Sequence, residues 1–286
     1  MAFIPSTTYL FDARHNGFTD HGCTMLDALG HRIALTMTPR RIVSLVPSQT
    51  ELLADLGLDA EVVGLTRFCV HPAGWKARKQ IVGGTKNVRL DRVAALAPDL
   101  VIANKEENVR EQVEAIASDG CPVFVTDVAT VADSLAMIRD VGALVGRPAE
   151  ATALADEIAA GFDALAREVT GAAALRAAYI IWRDPWMTVG GDTFIHDVLC
   201  HAGLVNVFGD QTRYPVVTAE ALRAAAPDVV LLSSEPYPFK PKHYAEIEAA
   251  VPGVRVHGID GELCSWYGSR LCHTPAYLTT LRRTLA

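Results

Sequence analysis

The chain has 286 residues, half of them hydrophobic and 21% charged, with a formal net charge of −7. That much apolar material fits two modest α/β lobes or one large one, and excludes disorder through the bulk of the chain. No basic block or Lys/Arg stripe offers a footprint for nucleic acid, and no apolar run reaches the roughly 18 residues that a transmembrane helix needs.

Residues 1–39 read as an irregular leader and a small hairpin, Met25 to Thr38, turning at Leu29-Gly30-His31. The leader carries Asp12, Arg14, His15 and Asp20 and lacks the basic-then-apolar order of a secretory signal. Cys23 follows Gly22 without the apolar stretch that precedes a lipoprotein cleavage site. A cytoplasmic chain is therefore expected as written, and a periplasmic or cell-surface one if the true start lies upstream. The six cysteines (Cys23, Cys69, Cys121, Cys200, Cys264 and Cys272) contain no C-x-x-C pair, so free thiols are expected, several of them buried.

Residues 40–147 read as an N-terminal α/β lobe. Arg41 to Val46 is apolar enough for a buried parallel strand stopped by Pro47, and Ser48 and Thr50 are N-cap candidates for a helix over Glu51 to Leu56. A strand over Glu61 to Leu65, a helix over Asp91 to Ala97 and a strand over Asp99 to Ala103 follow. A helix from Glu106 to Ser118, with Asn104 as its cap, leads to the strand Pro122 to Val125. A linking helix is assigned to residues 148–172, with Leu154, Ile158, Leu165 and Val169 on its apolar period. Residues 173–286 form the C-terminal lobe, with strands at Ala178 to Trp182 and Asp228 to Leu232 and helices at Phe194 to Cys200 and Ala219 to Ala226.

The two lobes echo each other. Arg92 to Ala103 and Ala221 to Leu232 both read as helix, Pro-Asp, apolar strand, at an offset of 129 residues (227 − 98). Strand–helix alternation implies parallel sheets, so the expected fold is α/β, two Rossmann-like lobes joined by a single long backbone helix.

Arg41-Ile42-Val43-Ser44-Leu45-Val46-Pro47-Ser48-Gln49-Thr50-Glu51, the two Pro-Asp-strand units and the helix between them resemble the helical-backbone substrate-binding proteins of ABC importers, over about residues 25–286. The resemblance implies a monomeric, non-enzymatic protein. It would capture a metal-containing ligand (a corrinoid, a ferric siderophore or haem) in the cleft between its lobes, with no tightly bound cofactor. It also implies that one acid per lobe docks onto the importer's membrane subunits, and the matching positions are Asp91 and Glu220, again 129 apart (220 − 91). The family usually has Glu at the first of these. Both acids also suit the first turn of a helix for their charge alone.

Ligands of open α/β sheets bind beyond the carboxyl ends of strands. Those positions give Ser48, Arg67, Glu106, Trp182, Arg183, Trp186, Tyr237, Trp266, Tyr267 and Arg270 as ligand-binding candidates. The aromatics are expected to converge on one wall, because Trp and Tyr supply contact area with few rotatable bonds. Cys69 and His71 alternate on an extended segment and could ligate a soft metal, although two ligands do not close a site. No G-x-S-x-G elbow, Walker loop or H-E-x-x-H is present. The competing reading is a cytoplasmic metal- or cofactor-binding enzyme or carrier on the same frame, which would need Cys69, His71 and Glu106 to meet at one point.

Overall fold

A computed structural model describes residues 22–285; the leader's first 21 residues, with the export-signal reading that rests on them, lie outside that range. An antiparallel hairpin of β1 (Cys23–Leu26) and β2 (Arg32–Leu35) turns at Gly30, as expected. The first lobe then runs β3 (Ile42–Ser44), α1 (Pro47–Asp55), β4 (Val62–Leu65), α2 (Trp75–Arg78) and β5 (Gln80–Ile81). After the small hairpin β6 (Gly83–Gly84) and β7 (Asn87–Val88) come α3 (Leu90–Ala95), β8 (Leu100–Asn104), α4 (Arg110–Ser118), β9 (Val123–Thr126) and α5 (Val131–Leu144). The backbone helix is α6 (Pro148–Val169). Beyond it lie β10 (Leu175–Trp182), β11 (Met187–Thr188), α7 (Phe194–His201), β12 (Leu204–Asn206), α8 (Ala219–Ala224) and β13 (Val229–Ser233). The chain closes with α9 (Pro241–Ala250), β14 (Arg255–Ile259), α10 (Gly261–Ser265), a 3-10 turn over Ser269–Cys272 and α11 (Thr274–Leu285).

Besides the two hairpins, the described residues form two five-stranded sheets. The first is ordered β5-β4-β3-β8-β9 and the second β11-β10-β13-β14, with β12 also on β10. Apart from β11, every pairing within them is parallel, and β4-β3-β8-β9 has its counterpart in β12-β10-β13-β14. The 129-residue repeat is kept to the atom level. Ala97 and Ala226 both take a positive φ, 41° and 44°, where their helices stop. Asp99 accepts from the backbone N–H of Arg41 at 2.9 Å, and Asp228 from that of Arg176 at 2.8 Å. The two arginines return their guanidinium groups to helix-terminal carbonyls, Arg41 to Leu96 and Arg176 to Ala225 and Ala226. The Pro-Asp signature is thus a device that satisfies the orphan carbonyls of one helix while pinning the start of two strands.

Several boundaries differ from the sequence expectation. Pro47 does not end a strand; it opens α1 at its first position, where a missing N–H costs nothing, so the helix starts four residues early and Ser48 lies inside it rather than capping it. Asn104 caps a turn, accepting from the N–H groups of Glu106 and Glu107, and α4 begins only at Arg110. On α6 the buried stripe is Ala151, Ala155, Ile158, Phe162 and Leu165, so Leu154 and Val169 are only partly covered. The reason is close approach: a Cβ on Gly142 of α5 would sit 2.1 Å from that of Ala151, and one on Gly161 would sit 3.0 Å from Pro275 of α11. Helix α5 was not anticipated at all. One core runs through both lobes along α5 and α6, and a smaller apolar cluster lies on the far face of each sheet. All six cysteines are free, with Cys23, Cys69 and Cys264 buried.

Candidate functional site

The carboxyl ends of the parallel strands of both sheets point into one cavity of about 900 Å³. Ser48, Arg67, Glu106, Trp182, Trp266 and Tyr267 all line it, so six of the ten ligand-binding candidates share one space. Each follows a strand of its sheet: Ser48 after β3, Arg67 after β4, Glu106 after β8, Trp182 at the end of β10, and Trp266 and Tyr267 after β14 and α10. Trp182 is 39% exposed at the mouth, where it meets Tyr237 edge-on, while Trp266 is only 8% exposed.

The other four candidates stand behind the wall. Trp186 stacks on Phe239 and carries the Arg183 guanidinium on its ring, and Arg183 is tied to Glu246 at 2.7 Å. Tyr237 packs into the same cluster through Phe239 and His243. Arg270 binds both oxygens of Glu51 on α1, at 2.6 and 2.8 Å, and reaches Glu262 at 3.2 Å. It is a clamp between the lobes, spent on protein carboxylates. Proximity to a strand end was the only signal available for these residues, and it does not reveal which side chains are consumed by pairing.

Cys69 and His71, the pair expected to ligate a metal, engage different partners. Cys69 is fully buried, its sulfur lies 3.1 and 3.2 Å from the hydroxyls of Thr50 and Thr66, and burial pushes its thiol up. His71 turns the other way, with Nε2 3.0 Å from Glu262 across the lobe interface and its ring edge-on to Trp266. Among the described residues no three His, Cys, Asp or Glu side chains gather to hold an ion. The meeting of Cys69, His71 and Glu106 that the carrier reading required does not occur.

Polar groups on the wall are layered by charge. Its cations, Arg67, Lys76, Lys86 and Arg213, are all exposed at the rim. Its carboxylates, Glu106, Glu107, Glu235 and Glu262, are all partly buried. Glu106 is held by Arg213 and by the Tyr214 hydroxyl at 3.1 Å, and Glu262 by His71 and Arg270. Glu107 takes a 2.7 Å hydrogen bond from the Tyr267 hydroxyl of the opposite lobe, and burial lifts its carboxyl to about 7. Glu235 accepts from Trp266 Nε1 at 2.8 Å and Ser265 Oγ at 2.9 Å, and burial raises it too. Arg213 and Tyr214, in the loop between β12 and α8, were missed because the three-residue strand β12 was not read in the sequence.

Two α/β lobes on a helical strut around a cleft of this size define a ligand-capture protein. Residues 42–251 match the family model described as periplasmic binding protein, and the chain belongs to that family. The vitamin B12-binding protein of Salmonella typhimurium LT2 is 29% identical over 196 residues, 68% of this chain and 73% of that protein. An uncharacterized ABC transporter substrate-binding lipoprotein, YvrC of Bacillus subtilis 168, is 27% identical over 259 residues, 87% of this chain and 81% of that one. Among solved structures, the periplasmic heme-binding protein RhuT of Roseiflexus sp. RS-1 superposes with a TM-score of 0.76 at 22% identity, covering 86% of this chain and 97% of its own. The vitamin B12 binding protein BtuF of Vibrio cholerae does so at 0.75 and 19%, covering 86% and 98%.

Proposed function

We propose that the protein captures a bulky metal-containing ligand, a corrinoid, ferric siderophore or haem, in the inter-lobe cleft and delivers it to an ABC importer. The observation that carries this reading is the cleft itself. About 900 Å³ is large for a small metabolite and suits a macrocycle or chelate, and its mouth and floor carry Trp182, Trp266 and Tyr267. Relatives named for vitamin B12 and an ABC transporter lipoprotein support the same reading, as does family membership for binding rather than catalysis. On this proposal the protein works outside the cytoplasmic membrane, where its named relatives are periplasmic or lipid-anchored.

Asp91 and Glu220 are the proposed docking residues. Both are exposed in the first turn of equivalent six-residue helices, α3 and α8, each of which leads directly into a sheet strand. Those first turns therefore lie toward the carboxyl ends of the strands, the side on which the cleft opens. Asp91 is presently gripped by Arg89 at 3.0 and 3.1 Å, a pair that a membrane-subunit arginine can exchange at little cost because it is solvent-exposed.

Native mass spectrometry of the protein as purified, with its visible absorption spectrum, tests the ligand. A mass increment matching a corrinoid, haem or ferric chelate, with the corresponding absorption band, is expected. A clean apo mass that acquires none of these on incubation contradicts the proposal.

A further inference from the structure

Resting on the ligand-capture reading above, the wall also says what the ligand presents to it. Of its four carboxylates, Glu106 and Glu262 are matched by basic side chains, whereas Glu107 and Glu235 are held only by neutral donors. In both, the same pattern recurs. Oε1 takes the protein's hydrogen bonds, from Tyr267 in one case and from Trp266 and Ser265 in the other, and Oε2 has no protein donor among the described residues. Both residues are only partly buried, so water can serve these oxygens in the open cleft; a ligand that covers them must supply the donor itself or leave a carboxylate oxygen unpaired at a cost. Ser48, 4% exposed on the same wall, adds a hydroxyl that can donate or accept and so serves either kind of ligand. The cations that would draw a ligand's carboxylates inward stand at the rim instead, exposed to solvent.

We infer that Glu107 and Glu235 are the specificity-determining residues of the cleft, and that they select a ligand whose inward-facing groups are hydrogen-bond donors, carboxamide N–H or a cationic nitrogen, over one that turns carboxylates or phenolates inward. An anionic ligand group buried beside two carboxylates meets like charge in a poorly hydrated space. A carboxamide donor meets an open acceptor, and a cationic one also gains charge-assisted hydrogen bonds. Any anionic group the ligand carries belongs at the mouth, against Arg67, Lys76, Lys86 and Arg213.

The test uses the full chain at pH 8.0 and ligands that hold the metal and framework fixed while changing the periphery. Dicyanocobinamide, ringed by carboxamides, is compared with dicyanocobyrinic acid, ringed by carboxylates. Ferrioxamine B, with its ammonium, is compared with the trianionic ferric enterobactin, and hemin is added as a dicarboxylate. Quenching of tryptophan fluorescence gives each dissociation constant. The donor-bearing member of at least one pair is expected to bind about tenfold or more tightly than its anionic counterpart. Glu107→Gln and Glu235→Gln should each narrow that ratio several-fold, with far-UV circular dichroism unchanged. Tighter binding of hemin, dicyanocobyrinic acid or ferric enterobactin overturns the inference while leaving ligand capture standing, as do equal affinities within the binding pair. Binding of none of the five removes the ligand-capture reading, and this one with it. The wild-type comparison stands even if a variant fails to fold.

Discussion

Burial lifts the Glu107 carboxyl to about 7, against an ordinary value near 4.5, because desolvation outweighs the hydrogen bond from Tyr267. The sign of the consequence follows from proton binding. Between those two values the folded protein holds the Glu107 proton and the unfolded chain does not, so stability falls as pH rises through that window. Glu107→Gln removes this dependence. Urea midpoints measured from pH 5 to 8 should fall less steeply in the variant, by roughly 2–3 kcal/mol across the range; parallel curves would show that Glu107 is solvated after all. The two cleft tryptophans should behave differently from one another. Trp182 is exposed at the mouth, so Trp182→Ala should weaken ligand binding by roughly 1–3 kcal/mol with little change in melting temperature. Trp266 is nearly buried, donates to Glu235 and carries His71 and Arg270 against its ring, so Trp266→Ala should destabilise the fold by about 3 kcal/mol as well. That split was hidden in the sequence. The strand-end rule found Ser48, Arg67, Glu106, Trp182, Trp266 and Tyr267, because topology alone puts them there. It also selected Arg270, Arg183, Trp186 and Tyr237, which the structure sets behind the cavity wall, and did not select Glu107 and Glu235, because pairing is a tertiary fact.

At the scale of elements, α5 and α6 approach closely where Gly142 faces Ala151. Gly142→Val should cost at least about 2 kcal/mol in a urea melt, since the helices must part to admit it. A variant of unchanged stability would mean that the helices are not packed at that point. Of the apolar period expected on α6, Ile158 and Leu165 are buried. Ala151 and Ala155 share the buried face with them and Phe162, and a search for large apolar residues selects Leu154 and Val169 on the flank instead. Helix α5 itself was legible in principle: Thr130 accepts from the Asp133 N–H at 3.0 Å and Asp133 caps the Thr130 N–H in return, a T-x-x-D pattern visible in the sequence. The Pro-Asp units, by contrast, were read correctly in both halves, because proline, a left-handed alanine and a capping aspartate fix the geometry locally. Pro47 misled because the same residue that ends a strand can begin a helix.

At the scale of the whole molecule, polar contacts cross between the lobes beside the cleft: Arg270 to Glu51, His71 to Glu262, Tyr267 to Glu107 and Tyr214 to Glu106. They hold the two sheets at one spacing, and a rigid cleft of fixed width suits a rigid ligand. Docking belongs to this scale too. With the cognate importer in proteoliposomes, Asp91→Arg with Glu220→Arg should abolish stimulation of its ATPase activity while leaving ligand affinity unchanged; full stimulation by the double variant would place the interface elsewhere. The most direct test of the central claim is a fluorescence titration of the wild type and of Ile195→Trp, which places a larger side chain at a residue lining the cavity, with a corrinoid, hemin and a ferric chelate. Saturable one-to-one binding of at least one of them by the wild type, lost or weakened at least tenfold in the filled variant, is the predicted result. Equal binding by both proteins, or no saturable binding of any of the three, would contradict it.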